Sequence, residues 1–213
     1  MNAVTEVSNL ILCERQARDR GWWTTMSESF LEGAPVFLSW IDGTAEEFVA
    51  GSVGMFDAGE RPVHRLAPPA VTVAADRAVA EVGAAIANRI TIGGVQADLV
   101  SHCRLLYQVC LTGGAWRIAS LTGIYENGTL TPSWPGTAVP YDLEVLRGIR
   151  YPFRYLGYYL AISGRQVPEG LYGDDEPERL AGLYRHAFAW LHDHDLPPGR
   201  PVAVNTTTRR ERG

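Results

Sequence analysis

Asp98-Leu99-Val100-Ser101-His102-Cys103-Arg104-Leu105-Leu106-Tyr107-Gln108-Val109, then Cys110-Leu111-Thr112-Gly113-Gly114, then Ala115-Trp116-Arg117-Ile118-Ala119-Ser120-Leu121: this stretch decides the fold. Two strand-like runs flank a Gly-Gly pair, and glycine supplies the positive φ that a tight hairpin turn demands. The preceding run, Ala78 to Ile92, closes on a second pair, Gly93-Gly94. Long strands joined by such short turns predict an antiparallel meander. Gly83, inside the first strand, is the expected site of a bulge that lets the sheet bend.

Working outward, the upstream sequence is helical. In residues 4–20, Val4, Val7, Leu10, Ile11 and Ala17 fall at helical spacing, with Glu14, Arg15, Arg18 and Arg20 assigned to the other side. Gly21 ends that helix. A short helix is expected from Thr24 to Leu31 and a brief strand from Pro35 to Trp40. Thr44 caps a third helix, with Glu47 at capping-box spacing and Phe48, Val49, Val53 and Phe56 on its apolar face. Residues 62–73 read as irregular and then extended, before a turn at Asp76-Arg77. Helices followed by a meander predict an α+β fold, a curved sheet around N-terminal helices with a pocket between them.

Downstream the character changes. Asn127-Gly128 and residues 132–140 read as an extended linker, and residues 142–163 as helical and aromatic. Pro177 opens a last helix over about 176–194. The expected organisation is a sheet-and-helix domain over residues 1–133, a linker over 134–140, a helical extension over 141–196 and a disordered tail over 197–213.

Composition narrows the partners. The 213 residues are 46% apolar and 20% charged, enough for a real core. The net charge is −5 with no basic stripe, which disfavours nucleic acid. All 19 basic residues are Arg, a pattern read as coding bias. No leader or membrane-spanning run is recognised, so a cytoplasmic protein without membrane attachment is expected. Cys13, Cys103 and Cys110 lack metal or redox spacing and read as buried free thiols. His192-Asp193-His194-Asp195 looks like a metal run, but neighbours one and two apart on a helix diverge, and no metal site is expected. The Gly pairs lack the strand-turn-helix context of a phosphate loop, and no cofactor is expected.

Several motifs, in order, carry a resemblance. Ala17-Arg18-Asp19-Arg20-Gly21-Trp22-Trp23-Thr24-Thr25-Met26 is similar to the first-helix ending of nuclear transport factor 2-like proteins. Ser39-Trp40-Ile41-Asp42-Gly43, His64 ahead of a strand, Asp76-Arg77-Ala78 and Gly114-Ala115-Trp116-Arg117-Ile118 continue the match. It covers about residues 4–133 and looks closest to the polyketide-cyclase-like (SnoaL-like) branch. The resemblance implies a cone, a strongly curved antiparallel sheet around helices with an apolar cavity inside. The superfamily includes dehydratases, isomerases, a dehydrochlorinase, an epoxide hydrolase and polyketide cyclases, and also non-catalytic transport factors and dioxygenase small subunits. Fold therefore does not settle function. Open sheet faces in this superfamily pair into dimers, which implies a homodimer.

By the same resemblance, Asp19 orients His64 as a general base. The chemistry is sound: a neutral imidazole accepts a proton near pH 7, and a carboxylate on its other nitrogen fixes the tautomer. Against this, Asp19 reads equally as a helix-end residue paired with Arg18 or Arg20, and His64 as a loop histidine. Asp98, His102 and Arg104 share one strand face. If that face lines the cavity, His102 is a second acid–base group and Arg104 an oxyanion holder. Otherwise it faces solvent or an interface, and Cys103, Leu105, Tyr107 and Val109 form the buried face. Trp22, Trp23, Trp40 and Tyr125 are candidate pocket walls or plain core, and Tyr107 is a candidate proton donor. The expected activity is cofactor-free dehydration, isomerisation or cyclisation of a small apolar or cyclic molecule. The alternatives are epoxide hydrolysis, with Asp98, Arg104 and Asp19 supplying the parts, and a non-catalytic ligand-binding or packing module.

Overall fold

The computed structural model describes residues 2–201. Helix α1 (Ala3–Arg20) starts where the Asn2 side chain accepts the Thr5 backbone N–H at 2.9 Å. It stops at Gly21, whose φ of 71° an L side chain resists. Helix α2 (Trp23–Glu28) leads into the hairpin β1 (Pro35–Leu38) and β2 (Ile41–Thr44). Helix α3 (Ala45–Asp57) carries the expected capping box between Thr44 and Glu47.

Residues 62–73, expected to be irregular and then extended, are extended in both parts and form two short strands, β3 (Val63–Leu66) and β4 (Ala70–Ala74), side by side along one edge of β5 (Arg77–Ile92). Strands β6 (Val95–Thr112) and β7 (Ala115–Pro132) complete the meander. Both Gly-Gly turns have positive φ at each residue. The sheet order is β2-β1-β7-β6-β5-β3.

Two local features differ from expectation. Gly83 stays in unbroken register opposite Arg104, and the ladder irregularities lie instead between β6 and β7, at His102/Cys103 and Gln108/Val109. Gly83 marks the hand-over from β4 to β3, where the Ala67 N–H donates to its carbonyl. Asn127-Gly128 belongs to β7 rather than a linker. A continuous partner strand overrides the turn preference of that dipeptide, and Gly128 fits because a Cβ there would sit 2.9 Å from the Val100 carbonyl.

The C-terminal extension contains α4 (Leu143–Arg147), a 3₁₀ turn at Tyr151–Phe153, α5 (Arg154–Ile162), β8 (Tyr172–Gly173) and α6 (Pro177–Trp190). Pro152 divides what reads as one helical stretch. Strand β8 was not anticipated; it lies parallel to β7, pairing Ile124 with Tyr172. The far ends of the meander (Ile90, Ile92, Ala97, Leu99, Leu130) form a second core with Val139, ahead of the extension, and Tyr158 within it. Residues 197–201, expected to be disordered, are held in place. The Gly199 N–H donates to Gln108 at 2.5 Å, and Arg200 pairs with Asp42 and lies over Phe37. The rest of the expected tail lies outside the described residues. Among the described residues, no helix is long and apolar enough to cross a membrane.

Candidate active site

A cavity lies between α1, α3, the concave side of the sheet and α5, with about 750 Å³ of space including its opening to solvent. Its walls include Leu38, Trp40, Phe48, Leu105 and Leu160, so it is mainly apolar, and α5 of the extension closes over part of it.

His64 sits on that wall. Strand β3 exposes Val63 and Arg65 and turns His64 and Leu66 inward, the alternation a strand imposes. Asp19, in the last turn of α1, holds the histidine twice. Its Oδ2 accepts the His64 backbone N–H at 2.7 Å, and its Oδ1 lies 2.6 Å from Nδ1. The side chains are 6% and 13% exposed. A carboxylate accepts, so Nδ1 carries the proton and Nε2 keeps its lone pair. Burial holds the His64 pKa below its ordinary 6.5, helped by Arg15 and Arg18 and opposed by Asp19. Burial alone would raise the Asp19 pKa; the hydrogen bonds from His64 outweigh it, and the carboxyl group stays below its ordinary range. The imidazole is therefore neutral at pH 7 and paired with a carboxylate.

Helix α1 also corrects an expectation. Glu14, Arg15 and Arg18, assigned to the solvent side, are buried, whereas Val4 is 45% exposed. Val7, Ile11, Glu14 and Arg18 follow one another at steps of four, three and four, a single helical stripe. The stripe is apolar where it meets the core and charged where it reaches the cavity. Arg15 is neutralised by Glu14, with Nε 2.5 Å from Oε2, and stacks on Phe48. Arg18 lines the cavity at 4% exposure and has no hydrogen bond or ion pair among the described residues. Burial, then the neighbouring Arg15, lowers its pKa to about 10, which leaves it charged at neutral pH. The spacing was the signal that could have found these residues; sorting by polarity hid it.

Trp40 lines the cavity and stacks on Phe48 at 5.5 Å. Tyr125 lines it as well, its hydroxyl accepting the Ser39 N–H at 2.6 Å. Tyr107 is fully buried near Glu14 and Arg15, beneath the cavity rather than on its wall. Trp22 is half exposed, and Trp23 packs edge-on against Phe56, so neither is a pocket wall.

Asp98, His102 and Arg104 share a face, but it is the outer one. The residues of β6 that line the cavity are Leu99, Ser101 and Leu105, and Cys103, Leu105, Tyr107 and Val109 are buried. Asp98 pairs with Arg89 at 2.8 Å; Arg104 bridges Glu81 and Glu126, and Glu81 also accepts from Tyr184 of α6. Asp98 and Arg104 thus belong to surface ion pairs, Arg104 at the seat of α6, and His102 does not line the cavity. The odd-numbered residues of β6 are the more apolar set, and that asymmetry decides which face turns inward. Past α6, the carbonyls of Trp190 and Asp193 accept from Arg77. Among the described residues, no three His, Cys, Asp or Glu side chains converge on one point.

Comparison with known proteins agrees with this architecture. Residues 1–122 match the SnoaL-like domain. A PEP2-like protein of Fusarium vanettenii is 26% identical, aligned over 84% of this chain and 81% of its own length. An uncharacterised Emericella nidulans protein is 27% identical over 88% and 90%. Both alignments run past the matched domain into the extension. Pea pathogenicity protein 2 of Fusarium vanettenii is 27% identical over 67% of this chain and 62% of its own length. Among solved structures, an NTF2-like protein of Novosphingobium aromaticivorans overlays with a TM-score of 0.46 (21% identity, 56% of this chain and 79% of that one). A type 2 hexachlorocyclohexane dehydrochlorinase overlays at 0.49 (12% identity, 65% and 93%).

Proposed function

Because this chain belongs to the SnoaL-like family, whose members put one fold to several uses, we propose a function from its site: general-base catalysis on a small apolar or cyclic molecule. The observation that carries the proposal is the doubly held His64 on the wall of an apolar cavity, with no hydrogen bond to its Nε2 among the described residues. Nε2 takes a proton from a carbon next to a carbonyl. Asp19 keeps Nδ1 protonated and stabilises the imidazolium that forms. Elimination of a β-substituent, return of the proton elsewhere or ring closure then gives a dehydratase, isomerase or cyclase. Low dielectric in the cavity strengthens each of these electrostatic contacts.

The epoxide-hydrolase alternative loses two of its three parts, since Asp98 and Arg104 lie outside the cavity. A pure packing role has less support, because an open cavity with a poised base is not what subunit packing requires.

The test is proton exchange. The native protein is incubated in D₂O with a panel of enolisable cyclic ketones and β-hydroxy ketones, and loss of the α-proton signal is followed by NMR. Native protein is expected to accelerate exchange for a subset of the panel. His64→Ala should slow it by roughly 10²-fold or more. Equal exchange by the two proteins would refute His64 as the base.

A further inference from the structure

The cavity contains a charge that the dyad does not use. Arg18 is 4% exposed, lines the cavity and is without a hydrogen bond or ion pair among the described residues. The carboxylates around it are committed elsewhere: Glu14 to Arg15, Asp19 to His64 and Glu60 to Arg165. On the sheet wall, the buried Ser101 hydroxyl also lacks a partner among the described residues. A buried guanidinium presents five donors and no acceptor, and leaving them unmet is costly. A ligand that fills the cavity displaces whatever hydrates this group, so the ligand itself must bring an acceptor.

We propose that Arg18 is the anchor for an anionic oxygen on the ligand, and that ligands of this cavity are therefore small cyclic molecules bearing an enolisable carbonyl, a phenol or a carboxylate beside their apolar frame. The inference rests on the base reading of His64 for its chemistry but not for its binding. In the reaction, the C–H electron pair becomes the C=C bond of an enolate as Nε2 takes the proton, and the carbonyl π electrons move onto oxygen. Arg18 hydrogen-bonds that oxygen and keeps its own proton. Positive charge forms at His64 as negative charge forms at the oxygen, so the cavity's net charge does not change during the step. A purely hydrocarbon ligand would strand Arg18 and be rejected.

Binding of stable mimics tests this without a known substrate. The native protein is titrated calorimetrically, at one pH, with phenols of increasing acidity, the matching anisoles as neutral counterparts, and benzoate. Affinity is expected to rise with phenol acidity, and the most acidic phenols should bind roughly 10-fold to 100-fold tighter than their anisoles. Arg18→Gln should flatten that dependence, weakening the acidic phenols without weakening the anisoles, and Arg18→Lys should restore part of it. Benzoate tighter than phenolate assigns the anchor to a carboxylate already on the substrate; the reverse order assigns it to an oxyanion formed in the reaction. Anisoles binding as tightly as phenolates in native protein would overturn the proposal, whatever the folding of the variants. His64→Ala separates the two readings. It is expected to lose exchange yet keep the acidity dependence. A His64→Ala protein that keeps both would sink the base and leave the anchor standing.

Discussion

At the scale of single residues, the sign of each pKa shift fixes the expected pH behaviour. The His64 pKa lies below 6.5, so the base is already neutral at pH 7. The exchange rate should rise with pH along a limb whose midpoint falls below 6.5. Asp19 opposes the depression, so Asp19→Asn should move that midpoint lower still while reducing the plateau rate by at least about 10-fold. A midpoint that moved upward would mean the carboxylate does not face the imidazole in solution. The same depression makes a stability statement. A group with a lowered folded-state pKa contributes stability that is present above its unfolded pKa and lost as pH falls through the folded value. Native protein should therefore lose melting temperature on acidification below about pH 6.5 more steeply than His64→Ala does. Asp19 and His64 were legible in the sequence through their motif context, although only coordinates could join residues 45 positions apart. Arg18 was not read as part of the site, because a charged side chain is normally sorted to water, and the stripe it shares with Val7 and Ile11 shows only when spacing is weighed above polarity.

At the scale of elements, what could be read was whatever a local rule dictates. The Gly-Gly turns, the Thr44–Glu47 capping box and the Gly21 helix stop each follow from backbone chemistry within a few residues, and each appears as expected. What could not be read depended on a partner strand. Parity placed Asp98, His102 and Arg104 together but could not say which side of the sheet they take, and β8 exists because β7 offers it an edge. Two helix-end substitutions separate stability from function. Thr44→Ala removes the cap of α3 at a residue that does not itself line the cavity, and should cost about 1 kcal/mol in urea unfolding with a smaller effect on exchange than Gly21→Ala. Gly21→Ala forces an L residue to a φ of 71° and brings a Cβ within 3.1 Å of the Phe56 ring. It should cost about 1–2 kcal/mol and also lower exchange, because the distorted turn is the one that aims Asp19. Equal activity in the two variants would show that the Asp19 position does not depend on the helix end.

At the scale of the whole molecule, the extension is built into the cone rather than appended to it. It adds β8 to the sheet, shares a second core with the ends of β5, β6 and β7, and sends Leu156, Tyr159 and Leu160 to the cavity wall. Residues 197–201 return to Gln108, on the same β6 strand whose inner face meets the cavity. One contact ties the end of the extension's helix α5 to the loop after α3 at the cavity edge: Arg165 holds Glu60 through both nitrogens, with Nη1 3.0 Å from Oε2. A partly exposed pair of this kind contributes at most about 1 kcal/mol to folding, so its consequence should be kinetic. Replacing Arg165 alone would strand a mostly buried carboxylate and confuse the two effects. The clean variant is Glu60→Gln combined with Arg165→Gln, which keeps the shapes and removes both charges. Its unfolding free energy should fall by less than about 1 kcal/mol. Dissociation of a bound phenol, followed by the stopped-flow change in intrinsic tryptophan fluorescence to which Trp40 on the cavity wall contributes, should quicken several-fold as α5 lifts more often from the cavity edge. If dissociation is unchanged while the phenol still binds, α5 moves only with the core it shares with the meander, and ligands enter and leave by another side of the cone.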